Sequence, residues 1–187
     1  DGREIRAAQS YYYESGLAGI ELPRYRDYLL EQGDEAFVEE WGRHLENPDA
    51  PWLQRLLTDA EFRRRLDEGR VIGPEEAVHG EWQRKRSRFV ERLEATTSWG
   101  WGLIPAKSDP ITYLSHMFLH AGLFHLVGNM LFLVAVGLLV EVGLGAGTLL
   151  GLYLLGGLGS AGLFVAVQPS ALVPLVGASG AISGLMR

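Results

Sequence analysis

The sequence contains no cysteine, and its second half contains almost no charge. Without cysteine the chain can form no disulfide, no thiol nucleophile and no thiolate metal site. Every Asp, Glu, Lys and Arg lies at or before Asp109, except Glu141 and Arg187. The chain therefore joins a polar, slightly acidic front half to an apolar back half.

The front half, residues 1–98, has neither an excess of basic residues nor a strand pattern. Its slight acidity argues against nucleic-acid binding, which requires a basic surface. Apolar residues recur at helical spacing, which predicts a small soluble all-α domain or an enlarged loop. The clearest signals are the apolar stripe at residues 52–57 and a capping box of Thr58 and Glu61 that opens the next helix.

Two basic runs lie within the front half, at residues 63–65 and residues 84–88. We favour a solvated helix face beside acidic neighbours, which is the usual role of such runs. The alternative is contact with anionic lipid headgroups, because the second run leads toward the apolar half of the chain.

The back half, residues 99–187, is predicted to be part of a polytopic bundle of membrane helices. A spanning helix needs about 20 apolar residues, and residues 113–140 and 148–167 supply two such segments. Gly147 and Gly151 stand four apart, a spacing that permits close helix packing. A third helix begins near residue 178. Because two spans return the chain to its starting side, the first span and the third helix should begin on one side of the membrane.

Polar side chains stand at the start of the first span. His116, His120, His125 and Asn129 are costly to place in hydrocarbon, so we expect them to face a cavity or a partner. His125 and Asn129 are four apart and share one helix face. His120 is five residues before His125, so it lies on a different face of the helix or in the segment that precedes the helix.

The second polar stretch is Gly-Ala-Ser-Gly at residues 177–180, where the third helix begins. Backbone N–H groups at a helix start are free and favour an anion. A serine nucleophile needs a base and an oxyanion site. The backbone N–H of Ser179 with the side chains of His125 and Asn129 would make a plausible oxyanion site, and the combination points to acyl transfer.

Each of these residues has a simpler interpretation when it is taken alone. Ser179 could be a packing serine, since Gly-x-Ser-Gly is short and occurs by chance in glycine-rich helices. The motif is not the hydrolase nucleophile elbow, because Ala181 stands where that motif has its last glycine and no strand precedes it. Asn129 could form a helix–helix hydrogen bond. His116 and His120 have a spacing that suits metal ligands, but His-Glu-x-x-His is absent, which argues against a metalloprotease.

Taken together and in this order, the motifs resemble the rhomboid family of intramembrane serine proteases. The matching elements are Trp-Gly-Leu-Ile-Pro at residues 101–105, then His120, His125 and Asn129, and then Gly-Ala-Ser-Gly at residues 177–180. The resemblance covers roughly residues 99–187 and implies a rhomboid-like helical bundle.

The resemblance implies a role for each matching position. Ser179 would be the nucleophile, and His125 and Asn129 would help to hold the oxyanion. His120 would have a structural role in the loop before the span. Two glycines would shape the turn of the nucleophile, namely Gly177 and Gly180. No metal and no cofactor would be needed.

The resemblance also implies a setting. Members of the family cleave transmembrane segments of other membrane proteins within the lipid bilayer. The expected parent is a multi-pass protein of the bacterial inner membrane, with its site and residues 1–98 on the extracytoplasmic side. The basic runs oppose this orientation under the positive-inside rule, but that rule weakens for long domains.

Two features of the family pattern are missing from these residues. The family uses a Ser–His dyad whose histidine lies two spans beyond the serine, and no histidine follows His125. The family also places a span before the Trp-Gly-Leu-Ile-Pro loop, and residues 1–98 contain none. We therefore interpret the chain as a fragment, with the base expected beyond residue 187, a first span before Asp1, and no turnover by the fragment itself. The alternatives are a rhomboid-like pseudoprotease that binds membrane proteins without cleaving them, and a membrane-anchored scaffold whose function lies in residues 1–98.

Overall fold

A computed structural model describes residues 2–107 and 109–186 of the chain. The described residues form eleven α-helices and no β-strand, so the prediction of an all-α fold is confirmed. They divide into two compact units, a front unit over Arg3–Glu94 and a back unit that begins at Ala95.

The front unit has a core rich in aromatic side chains. Tyr25 packs on Phe62 with ring centroids 4.7 Å apart, and Tyr12 packs on Phe89 at 5.0 Å. All four rings are fully buried, as is Trp52. The helices of this unit are α1 (Gly2–Glu14), α2 (Leu17–Glu31), α3 (Glu35–Trp41), α4 (Trp52–Thr58), α5 (Ala60–Asp67) and α6 (His79–Glu94), and all but α3 bury side chains in the core.

The start of α5 differs from the sequence prediction by one residue. Its cap is Asp59, whose carboxylate accepts a hydrogen bond of 2.9 Å from the backbone N–H of Phe62. The predicted capping box of Thr58 and Glu61 is therefore wrong. An aspartate and a threonine are both good caps, and the sequence places them side by side, so the choice between them depends on where α4 ends.

A buried carboxylate joins three of the front helices. Glu21 of α2 is fully buried and accepts hydrogen bonds from the Tyr12 hydroxyl at 3.1 Å, from the Trp82 indole at 2.8 Å and from the Arg86 guanidinium at 2.7 Å. Burial, followed by the charge of Glu21, raises the pKa of Tyr12 well above its ordinary value, so its hydroxyl stays a donor. The Glu21 carboxylate therefore joins α2 to α1 through Tyr12 and to α6 through Trp82 and Arg86.

Arg86→Ala is expected to destabilise the front unit by about 3–5 kcal/mol, because the Glu21 carboxylate would stay buried without its cation. Hydrogen–deuterium exchange of the front-unit amides in the full-length protein would measure this loss. Arg64→Ala is the matched control, since Arg64 forms exposed ion pairs with Glu61 and Glu68 and should leave amide protection unchanged. Equal loss in both variants would contradict a special role for the buried pair.

The back unit is built around two long apolar helices. Helices α9 (Leu123–Leu144) and α10 (Ala146–Val167) each have 22 residues and are long and apolar enough to cross a membrane. Their large apolar side chains are widely exposed, for example Leu131 at 67% and Leu139 at 76%, as expected for surfaces that face lipid. The helices of this unit are α7 (Thr97–Trp101), α8 (Thr112–Ser115), a short 3₁₀ turn (His116–Phe118), α9 (Leu123–Leu144), α10 (Ala146–Val167) and α11 (Ser179–Gly184).

The spans differ in their bounds from the sequence prediction. The first begins at Leu123 rather than near residue 113, because the residues before it form the short helix α8 and the 3₁₀ turn. It continues to Leu144, and Gly145 alone connects it to α10. Gly145 has a φ of +86°, a left-handed conformation in which glycine is favoured, so a single residue suffices for the turn.

Candidate active site

The loop that contains the Trp-Gly-Leu-Ile-Pro motif pairs with the segment that leads to Ser179. Leu103 and Leu175 exchange two backbone hydrogen bonds, of 3.1 Å and 2.8 Å, as an isolated antiparallel bridge. A third bond of 3.1 Å joins the N–H of Ala106 to the carbonyl of Ala171. Two motifs that are far apart in the sequence are therefore held together by their backbones.

The turn before Ser179 packs directly on the start of α9. The N–H of Gly177 donates a 2.9 Å hydrogen bond to the carbonyl of His116, and Gly177 has a φ of +125°. A Cβ at Gly177 would lie 2.8 Å from Cε1 of His125 and 3.7 Å from Nδ2 of Asn129. The structure thus brings Gly177, His125 and Asn129 to one place, and Ser179 follows two residues later.

Small residues place the short helix α11 against α10. A Cβ at Gly184 would lie 2.8 Å from the Cα of Gly156, so the two backbones are in close contact. A Cβ at Gly180 would collide with the hydroxyl of Ser160. Gly180 therefore has a packing reason to be glycine, and α11 can approach α10 only because both helices carry small residues here.

Asn129 supplies a buried hydrogen-bond donor without a partner. Its side chain is only 8% exposed, and its Nδ2 has no hydrogen-bond partner among the described residues. A buried amide that is left unpaired costs about 1–3 kcal/mol. Such an orphaned donor beside the turn of Gly177 is a group that could bind a developing negative charge.

Two further histidines surround the start of α9. The ring of His120 lies 5.4 Å from that of His125 between centroids, in an edge-to-face arrangement. Burial and the neighbouring His125 lower the pKa of His120, and a hydrogen bond with the Phe118 backbone opposes this. Burial also lowers the pKa of His116, and neither of its ring nitrogens has a partner in the described chain. In both rings burial therefore disfavours the charged form.

Ser179 is the exposed first residue of α11. Its carbonyl accepts a 2.8 Å hydrogen bond from the hydroxyl of Ser183, one turn later. The N–H groups of a first helical turn have no partner within the helix, so that of Ser179 is available to a substrate oxygen. No group of three or more His, Cys, Asp and Glu that could hold a metal ion occurs among the described residues.

Comparison of the chain with known proteins identifies the family that it resembles. Residues 107–187 match the family model of the Rhomboid domain. RHOMBOID-like protein 2 of Arabidopsis thaliana is 30% identical over 152 residues, which are 80% of this chain and 42% of that protein. The chain belongs to the rhomboid family. Rhomboid membership and two helices of spanning length make it a membrane protein, and it spans less than half the length of its plant relative. No solved structure matches it.

Some contacts that build this rhomboid site could not be found in the sequence. The carbonyl of His116 is a backbone group, and nothing in the residue type indicates that Gly177 will bind it. The thioether of Met117 packs against Gly157, where a Cβ would collide with its sulfur. Met117 is fully buried, although it stands in a stretch where the sequence suggested a lipid-facing helix.

Proposed function

We propose that this rhomboid is part of an intramembrane serine endopeptidase, and that it cleaves transmembrane segments of other membrane proteins. The observation that carries the proposal is the packing of the Gly177 turn against His125 and Asn129. That packing leaves the unpaired Nδ2 of Asn129 next to the backbone that presents Ser179.

In the proposed reaction the Ser179 hydroxyl attacks the scissile carbonyl of the substrate. A base takes the proton of the hydroxyl as the oxygen–carbon bond forms, and we expect that base to be a histidine beyond residue 187. The side chains of His125 and Asn129 and the N–H of Ser179 donate hydrogen bonds to the oxyanion. The intermediate collapses as the base protonates the leaving amine, and water then hydrolyses the acyl-enzyme by the same steps in reverse order.

The imidazole of His125 suits the proposed site. An imidazole ring carries at least one N–H donor, so His125 can offer an N–H to the oxyanion. We assign His120 a positioning role, because its ring stacks edge-to-face on His125 and fixes that side chain from the loop. Gly177 and Gly180 allow the turn and the helix that carry Ser179 to approach α9 and α10.

The proposal includes an orientation in the bilayer. The first residues of α9 and of α11 lie at one end of the spanning helices, which is the end that holds the site. We place that end, together with residues 1–98, on the extracytoplasmic side of the membrane. A single cysteine introduced into the front unit would test this orientation, because the chain has no cysteine of its own. A fluorescent thiol reagent that does not cross membranes should label that cysteine from the extracytoplasmic side only.

The function is tested with the full-length protein reconstituted into liposomes together with a single-span substrate. Mass spectrometry of the products should find a cut within or at the edge of the substrate span. The second candidate is a rhomboid-like pseudoprotease that holds such a span without cutting it, which applies if the full-length protein carries no base for Ser179. Copurification of an intact substrate without products would favour that candidate.

Asn129→Ala is expected to lower kcat by about 10²–10³-fold with little change in KM, because an oxyanion donor acts mainly in the transition state. The cleavage assay in liposomes measures both constants. Val127→Ala is the control, since Val127 is exposed on the same helix at 45% and its loss should not alter cleavage. A normal kcat in the Asn129→Ala variant would show that Asn129 only packs in the helix bundle and does not stabilise the oxyanion.

A further inference from the structure

The outer face of α6 carries a row of arginines that the proposed function does not use. Arg84, Arg88 and Arg92 follow one another at intervals of four, so they share one face of the helix, and all three are exposed. Trp82 and Phe89 are buried on the opposite face. We call these three residues the arginine stripe.

The arginine stripe differs from the other basic residues of the front unit in its partners. In the first basic run, Arg64 forms ion pairs with Glu61 and Glu68, and Arg65 forms ion pairs with Glu61 and Glu31. By contrast, Arg84 and Arg88 form no salt bridge with any described residue. Arg92 places its guanidinium over the ring of Tyr11, at 4.7 Å from the centroid, which orients the charge without neutralising it.

The acidic residues near the stripe leave its charge largely uncancelled. Glu81 forms an ion pair of 2.5 Å with Lys85 and also attracts Arg84, so these two cations share one carboxylate. Glu91 shares the outer face with the stripe and offsets one of its three charges. Elsewhere the front unit is acidic, and α3 contributes Glu35, Glu39 and Glu40 over its seven residues. The unit therefore presents a positive face although its acidic residues outnumber its basic ones.

The stripe also stands close in sequence to a membrane anchor. Arg92 precedes Trp101 by nine positions, and the indole of Trp101 is 55% exposed. Exposed tryptophan at the edge of a membrane domain is typical of the headgroup layer. An extended chain covers at most about 3.5 Å per residue, so the connecting residues keep Arg92 within about 30 Å of that anchor.

We propose that the arginine stripe of α6 docks on anionic phospholipid headgroups at the surface of the membrane. A basic residue near an anionic membrane contributes about 1 kcal/mol, which corresponds to roughly a five-fold change in the docked population. Three such residues together change the ratio of docked to free front unit by on the order of a hundred-fold. The attraction is screened by salt, because the Debye length falls to about 3 Å at 1 M.

The experiment uses the full-length protein in nanodiscs and a fluorophore on a single introduced cysteine, Ser87→Cys, beside the stripe. Quenching by nitroxide-labelled headgroups reports contact with the membrane. Stronger quenching is expected in discs that contain phosphatidylglycerol than in discs of phosphatidylcholine alone, and high salt should remove the difference. The same fluorophore on Ala36→Cys in α3 is expected to respond equally to both lipids.

A matched pair of charge variants completes the test. Replacement of Arg84, Arg88 and Arg92 by glutamine should abolish the lipid-dependent quenching. The same replacement at the ion-paired Arg26, Arg64 and Arg70 removes equal charge and should preserve it. The proposal is overturned if quenching at Ser87→Cys is the same in both lipids, or if the two triple variants behave alike.

Discussion

Ser179→Ala is expected to abolish cleavage of a transmembrane substrate by the full-length protein. Loss of a serine nucleophile that acts with a base costs about 10⁴–10⁶-fold in kcat. The same change should abolish labelling by a serine-directed fluorophosphonate. Ser179 is exposed, so its replacement should not lower the thermal stability. Fluorophosphonate labelling in detergent and product analysis in liposomes measure the two effects independently.

Ser183→Ala is the natural control for this prediction. Ser183 belongs to the same short helix as Ser179, and its hydroxyl donates only to the Ser179 carbonyl within that helix. Its removal should leave both labelling and cleavage intact. Persistent cleavage by Ser179→Ala would exclude Ser179 as the nucleophile. A full-length protein that neither cleaves nor takes up label would instead be a pseudoprotease.

The sequence was most informative where polar residues interrupt an apolar pattern. Hydrocarbon makes an unpaired polar group costly, so His125 and Asn129 had to face something other than lipid. Because two spans return the chain to its starting side, the sequence then indicated that the helix carrying Ser179 begins on the same side of the membrane as the first span. The structure brings the turn of Gly177 onto His125 and Asn129, and the roles proposed for these side chains stay predictions.

The start of the first span was predicted ten residues too early because hydropathy measures composition alone. Residues 112–118 carry no formal charge and so extend the uncharged stretch of the span, yet they fold as a short helix and a 3₁₀ turn. His116 ends up almost fully buried, and its carbonyl binds Gly177. That bond depends on a residue far along the chain, so no local pattern could reveal it.

The glycines of α10 also show that a local sequence pattern does not identify a tertiary contact. Gly147 and Gly151 have the spacing that permits close packing, but both face open space among the described residues. The close approach occurs one turn further along, at Gly156, where α11 lies against the backbone. Spacing identifies which residues could form a contact surface, whereas the partner helix determines which of them does so.

Gly177→Ala is expected to reduce cleavage by about a hundred-fold or more and to lower the thermal stability of the back unit. A non-glycine residue at a φ of +125° costs on the order of 1–3 kcal/mol in backbone strain. The new Cβ would also lie 2.8 Å from Cε1 of His125, which forces the imidazole or the turn to move. A displacement of about 1 Å at a catalytic group can cost 10²-fold. Cleavage rate and melting temperature are the two measurements.

A double-mutant cycle separates strain from collision in this prediction. If His125 is the obstacle, Gly177→Ala should cost less stability in a His125→Ala background than in the wild type. The loss of stability that remains in the His125→Ala background is due to backbone strain at position 177. Gly159→Ala is the control, because Gly159 lies in α10 with open space around its Cβ position and should tolerate the methyl. Equal stability losses from Gly177→Ala in both backgrounds would show that the turn does not press on His125 and that backbone strain accounts for the whole effect.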